Sequence, residues 1–263
     1  MYQRLRPLSF LAASLLLGLM AFAAVTPATQ ATAQGSTKTE TIALDPFTSI
    51  QINGGGVATL TFGDTPSVTI TGNSLVVDRL DAQVEEGQLV LGSSLTTALD
   101  IIDLTELTYE IVATSVNEIN LAGTVTLDVP VIPAQPFLEI GLTTAAELNI
   151  PSMNVASLTG KLDLLSKANL AGSADTMQLE INNGSELDAA NLQVGSADLV
   201  LNGVAKATVR VTESLTGRAS QGSTVNYISE AVTPNITLTT LASLNPLEFT
   251  PWVAPEGMAT PTA

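Results

Sequence analysis

The chain has 263 residues, with 9 Lys plus Arg against 25 Asp plus Glu, a net charge of −16, and neither histidine nor cysteine. That charge argues against nucleic acid and against direct docking on anionic lipid, both of which need basic groups; an acidic exterior that keeps an exported protein soluble accounts for it. Without His and Cys, the commonest general base, the thiol nucleophile and the usual transition-metal ligands are missing, and no disulfide can staple the fold.

Residues 1–33 read as a secretory signal peptide. Arg4 and Arg6 supply the positive start, residues 8–25 the apolar stretch, and Ala31-Thr32-Ala33 the small-residue cleavage pattern, so cleavage is expected after Ala33. The apolar stretch is 18 residues long, at the lower limit for a membrane span, which leaves a retained anchor as the alternative. Ser9, Ser14 and Gly18 weaken it in that role. No later apolar run approaches the roughly 20 residues of a span. The mature chain is therefore expected to carry no transmembrane segment, and to be secreted, periplasmic or associated with the cell envelope.

After a short linker, 34–38, a β-rich body is expected over 39–233. Its opening part is strand-like but irregular: Ile50 with Ile52, Val57 with Leu60, Val68 with Ile70, Val84, and Leu89 with Leu91 suggest opening rungs of one stacked body. Residues 94–106 fit either a loop or a short helical excursion.

From Glu118 onward a repeat emerges. Two apolar residues separated by one, a turn, and two more separated by one recur, with the residue closing the first pair at Leu121, Leu142, Leu164, Ile181, Leu201 and Ala219. Six residues beyond each anchor the second pair opens, at Leu127, Leu148, Leu170, Leu187, Ala207 and Val225. Strand side chains alternate faces, so each pair points inward and the residue between points out. A unit of two short strands cannot close a core alone, but stacked units can. The expected fold class is all-β: a right-handed parallel β-helix, or β-solenoid, with about 20 residues per rung. At roughly 4.8 Å per rung, nine or ten rungs make a rod on the order of 45 Å long. An antiparallel sandwich also shows short strands, but gives no reason for the fixed six-residue offset. Asn182-Asn183-Gly184-Ser185, Asn202-Gly203 and Gln221-Gly222-Ser223 supply turns with Gly or Asn where positive φ is cheap.

After Val232 five prolines break the pattern, at 234, 246, 251, 255 and 261, so residues 234–263 are expected to form a cap and a disordered tail. Residues 247–253, with Trp252, are expected to fold back over the final rung.

No catalytic residue, metal ligand or cofactor-binding residue is assigned, and no cofactor is expected. Gly54-Gly55-Gly56 lacks the lysine and helix of a phosphate loop and reads as a turn. The carboxylates Asp163, Glu180 and Asp188 carry the enzyme alternative. In the alignment above, Asp163 and Glu180 take the same outward position on successive rungs, near the separation of a retaining glycosidase pair. Stacked carboxylates are, however, ordinary on an acidic surface, and a shallow face lacks the concave site catalysis prefers. Asp and Asn on adjacent rungs could also hold calcium, although no Ca²⁺ loop motif is present.

The segments Phe47-Thr48-Ser49-Ile50-Gln51-Ile52-Asn53-Gly54, Val68-Thr69-Ile70-Thr71-Gly72, Val84-Glu85-Glu86-Gly87-Gln88-Leu89-Val90-Leu91 and Gly222-Ser223-Thr224-Val225-Asn226-Tyr227 resemble those of the auto-transporter adhesin head domain, or GIN domain. The resemblance runs over about 39–231. Inner turns such as Leu142-Thr143-Thr144-Ala145 depart from that family's Ser-Gly pattern. The resemblance implies a β-helical envelope or secreted protein and brings no catalytic residues. The expected role is a binding or structural surface module whose partner is a glycan or an envelope or cell-surface protein, with a carbohydrate-active enzyme on the same scaffold as the alternative.

Overall fold

In the computed structural model the described residues are 36–92 and 107–254. The signal segment, the 94–106 stretch and the tail beyond Ala254 lie outside them. Strand makes up 69% of the described residues.

Seven elements build the amino-terminal end: β1 (Thr37–Ala43), β2 (Ser49–Phe62), β3 (Ser67–Asn73), the four-residue α1 (Ser74–Val77), β4 (Asp81–Glu85), β5 (Gln88–Gly92) and β6 (Thr108–Ala113). β5 pairs parallel with the first half of β2 and β6 with its second half. On its other side, β2 pairs parallel with β7 (Glu118–Asp128). The chain thus lays down β2, stacks β5 and β6 on one side of it, and continues on the other. Ile50, Ile52, Leu89 and Leu91 are inward rung positions, as the alternation suggested, and all are fully buried.

Val68, Ile70 and Val84 depart from that expectation. β3 runs antiparallel between β1 and β6, and β4 antiparallel beside β5, so these residues close the end of the stack instead of forming rungs. A period-2 apolar pattern is the same for parallel and antiparallel neighbours and could not separate them. β1 also begins at Thr37, inside the segment read as linker. It is an outer edge whose Lys38 reaches Glu40 at 2.7 Å and Asp78 at 2.6 Å, and charges on an edge discourage unwanted strand addition.

From β7 every pairing is parallel, through β8 (Ile132–Thr143), β9 (Glu147–Leu162), β10 (Lys167–Ile181), β11 (Glu186–Leu201), β12 (Lys206–Ala219) and β13 (Thr224–Ile228). Each of β9 to β12 spans two rungs and bends at a register shift in the middle. The first apolar column runs Leu121, Leu142, Leu162, Ile181, Leu201, Ala219, and the second Leu127, Leu148, Ala168, Leu187, Ala207, Val225. The six-residue offset and the rung of about 20 residues both hold, and the molecule is a β-solenoid.

One rung was misread. Its anchor is Leu162, with Ala168 following, and not Leu164 with Leu170. Gly160 fills the other inward place of that rung, opposite Ile140 and Leu179. The motif Leu162-Asp163-Leu164 imitates an inward pair, but Leu164 sits on the turn with φ 53° and is 49% exposed. Sequence alternation cannot recognise a glycine as a core residue, so the pattern slid two residues toward the nearer leucine.

The turns between the two strands of each rung repeat one conformation. From Leu142 onward, the second and third residues after each anchor both have positive φ: Thr144 and Ala145, Leu164 and Leu165, Asn183 and Gly184, Gly203 and Val204, Gln221 and Gly222. Left-handed backbone costs an ordinary residue about 1–2 kcal/mol. Stacking offsets this through hydrogen bonds from turn to turn, such as Leu165 N to Asn183 O at 3.1 Å, Gly184 N to Gly203 O at 2.8 Å and Val204 N to Gln221 O at 2.9 Å. At Gly184 a second constraint applies: a Cβ there would lie 2.8 Å from the Cδ2 of Leu165 in the preceding turn.

The stack does not end at Val232. β14 (Asn235–Leu238) pairs with β12, and β15 (Ser243–Pro246) with β13, adding a further rung with Leu238 and Leu244 in the two columns. Pro234 precedes one strand and Pro246 closes the other, places where a missing N–H is tolerated. Residues 247–253 do not cover that rung. They run back along the side of the solenoid, where Trp252 Nε1 donates to Asn191 O at 3.1 Å.

Candidate functional site

Outward positions of the second strand form a polar ladder: Asp128, Asn149, Asn169, Asp188, Thr208, Asn226 and Asn245, each in register with the next. With the corrected rung, Asn169 replaces Ala171 and the ladder is polar throughout. Its members bond along the stack: Asn149 Nδ2 donates to Asp128 Oδ1 at 2.9 Å, Asn169 Nδ2 to Asn149 Oδ1 at 2.7 Å, and Asn245 Nδ2 to Asn226 Oδ1 at 3.2 Å. Amide groups suit such a ladder because each offers both a donor and an acceptor. Beside Asp128 to Asp188, the bends after the strands shape a shallow groove of about 420 Å³, edged by Pro130 and Pro151.

Of the three carboxylates raised from sequence, Asp188 belongs to this groove, and its Oδ1 accepts from Ala190 N at 3.1 Å. Asp163 and Glu180 lie elsewhere and do not stack on one another. The register partner of Glu180 is Lys161, while Asp163 follows the end of β9. The Lys161 ammonium sits between them, 3.5 Å from Glu180 Oε1 and 3.9 Å from Asp163 Oδ2. Asn182 Nδ2 donates to Glu180 at 2.7 Å, and Asn183 Nδ2 and Leu164 N to Asp163 at 2.6 and 2.9 Å. Both carboxylates are thus occupied as acceptors by one lysine and by amides, and they do not face one another as a pair. The misplaced pairing followed from the two-residue slip. Among the described residues, no group of three or more Asp or Glu stands close enough to hold a metal ion.

A third feature had no sequence signal beyond an arginine between two valines. At the bend of β11, residues 190–192 bulge out with no partner on β12, whose register resumes with Gln193 opposite Arg210. Arg210 is 6% exposed. Its Nε donates to Ala190 O at 2.8 Å, its Nη1 to Thr250 O and its Nη2 to Thr250 Oγ1 at 3.1 Å. Burial pulls its pKa below the ordinary arginine value. The guanidinium therefore pins the returning segment to the side of the solenoid and satisfies the bulge at the same time.

The fold defines a class, the β-solenoids. The chain belongs to the family described as putative auto-transporter adhesin, head GIN domain, whose profile matches residues 46–231. Its fold is that of a putative adhesin from Bacteroides fragilis, at 15% identity and TM-score 0.73, over 81% of this chain and 97% of that one. A putative adhesin from Parabacteroides merdae, at 15% identity and TM-score 0.63, aligns over the same 81% of this chain and 97% of its own. A protein from Parabacteroides distasonis described as a putative lipid binding protein aligns at 14% identity and TM-score 0.64, over 81% and 98%. No curated protein matches the sequence. Among the described residues no helix is long and apolar enough to cross a membrane.

Proposed function

We propose that the chain is an exported adhesin-type module that presents a rigid polar face at the cell envelope and binds without catalysis. The observation that carries this reading is the continuous Asp/Asn/Thr ladder. A repeated backbone holds its side chains at about 4.8 Å spacing, so a ligand meets them already ordered and little entropy is lost on contact. Family membership supports the adhesive role, and the predicted signal segment supports export. With Lys161 standing between them, Asp163 and Glu180 do not form the facing carboxylate pair that glycoside hydrolysis uses, which favours the binding reading. A glycan array paired with a reducing-sugar assay tests it: retention without product is expected, and release of reducing sugar that disappears in Glu180→Gln would establish the enzyme alternative instead.

A further inference from the structure

With the side of β12 and the stretch after β13, the returning segment 247–253 encloses a cleft of about 400 Å³, within the range of small-ligand pockets. Phe249 and Trp252 line this cleft together with Val211, Ala231 and Pro251, and its polar lining is Gln193, Arg210, Thr212, Ser229 and Glu230.

The fold buries Phe47 and Tyr109 to 2% exposure but leaves Phe249 43% and Phe137 46% exposed, and of these two Phe249 stands in the cleft with Trp252. Trp252, the only tryptophan of the chain, is fixed in orientation by its bond to Asn191 O, so its ring offers a preset surface. Opposite stand groups that both donate and accept. Arg210 uses three of its five N–H groups on Ala190 and Thr250, which leaves two.

The lining selects among ligand classes. A purely apolar guest would leave the Gln193 amide and the two remaining N–H groups of Arg210 without partners. A carboxylated guest would meet Glu230 and a chain of net charge −16, and a cationic guest would meet Arg210. A ring with a flat C–H face and hydroxyls around its rim satisfies every wall: the face stacks on an aromatic ring and the hydroxyls pair with amide, hydroxyl, guanidinium and carboxylate. We propose that this cleft binds a neutral pyranose unit of a glycan, stacked against Trp252 and Phe249. The proposal rests on the binding-module reading and gives it a partner class and a place.

Trp252 is its own reporter, because no other tryptophan contributes to the emission. Acrylamide quenching of the exported chain is measured against glucose, galactose, mannose and N-acetylglucosamine, with glucuronate as the charged control. At least one neutral sugar is expected to shield Trp252 saturably, with Kd in about the 0.1–10 mM range. Phe249→Ala is expected to weaken that shielding about tenfold or more with the melting temperature unchanged. Shielding by none of the four neutral sugars up to about 100 mM, shielding by glucuronate alone, or undiminished shielding in a folded Phe249→Ala protein would each overturn the cleft. Retention of Phe249→Ala on a glycan surface at wild-type strength would likewise overturn the cleft while leaving the binding-module reading intact. Sugar shielding in a protein that no glycan or cell surface retains would support the cleft and remove the adhesive role.

Discussion

Gly54 and Gly123 face each other across neighbouring rungs, yet they belong to two different environments. A side chain added at Gly54 meets none of the described residues within 4 Å, whereas one added at Gly123 would lie 2.0 Å from the carbonyl oxygen of Gly54 itself. Between the stacked rungs, separation is fixed by backbone hydrogen bonds and admits no extra atom. At the amino-terminal end, β5 stops at Gly92 opposite Asn53 and β6 starts opposite Val57, so among the described residues no registered strand lies beside Gly54. Repetition makes the stack exacting at Gly123, and where the strand pairing is interrupted the described residues leave room at Gly54, although not at Gly56, whose added Cβ would lie 2.4 Å from Leu107 O.

The largest effect should come from that pair. Gly123→Ala is expected to cost more than about 4 kcal/mol, enough to prevent folding of a marginal domain, while Gly54→Ala should cost only about 1 kcal/mol for its left-handed backbone. Thermal unfolding of the two proteins compares them directly, and equal losses would break the contrast. Next, Leu187→Ala in the second column, fully buried, should lose about 2–5 kcal/mol. Val84→Ala in the antiparallel closing strand, where the side chain is only partly buried, should lose about 1 kcal/mol.

A smaller effect tests the stacked turns. Gly184→Ala should cost about 1–2 kcal/mol from positive φ and from contact with Leu165. In the Leu165→Ala background the contact part should vanish, giving a coupling that a double-mutant cycle in denaturant can resolve. Asn149→Ala removes a rung of the polar ladder and should cost about 1 kcal/mol.

Tyr109 gives the smallest effect at neutral pH and one that grows with alkalinity. Burial pushes its phenol well above the ordinary value of 10.0. The neutral form is thus favoured in the fold, so its contribution is fully present below that value and is lost as pH rises through it, when the unfolded chain ionises and the folded one does not. Tyr109→Phe should leave stability at pH 7 nearly unchanged and reduce the loss above pH 10 in urea titrations.

The same contrast explains what could be read in advance. The columns from Leu121 to Val225 were legible because every rung repeats one inward spacing, and the turn residues Gly184 and Gly222 because positive φ leaves a compositional trace. The antiparallel roles of Val68, Ile70 and Val84 were not, since alternation carries no strand direction. Ala168 was hidden by a glycine acting as a core residue one strand earlier, and that slip also drew Asp163 and Glu180 into a false pair. Arg210 and the course of residues 247–253 depend on contacts 40 or more residues apart, for which a single chain offers no local pattern.

The stacked register itself can be measured without background, because the chain has no cysteine. Parallel neighbours about 4.8 Å apart lie within disulfide reach. Two double variants suffice: Asn149→Cys with Asn169→Cys, and Asn149→Cys with Ala171→Cys. Under mild oxidation, peptide mass spectrometry should find the 149–169 bridge formed and the 149–171 pair as free thiols. A bridge only in the second pair, or in neither, would contradict the stack described here.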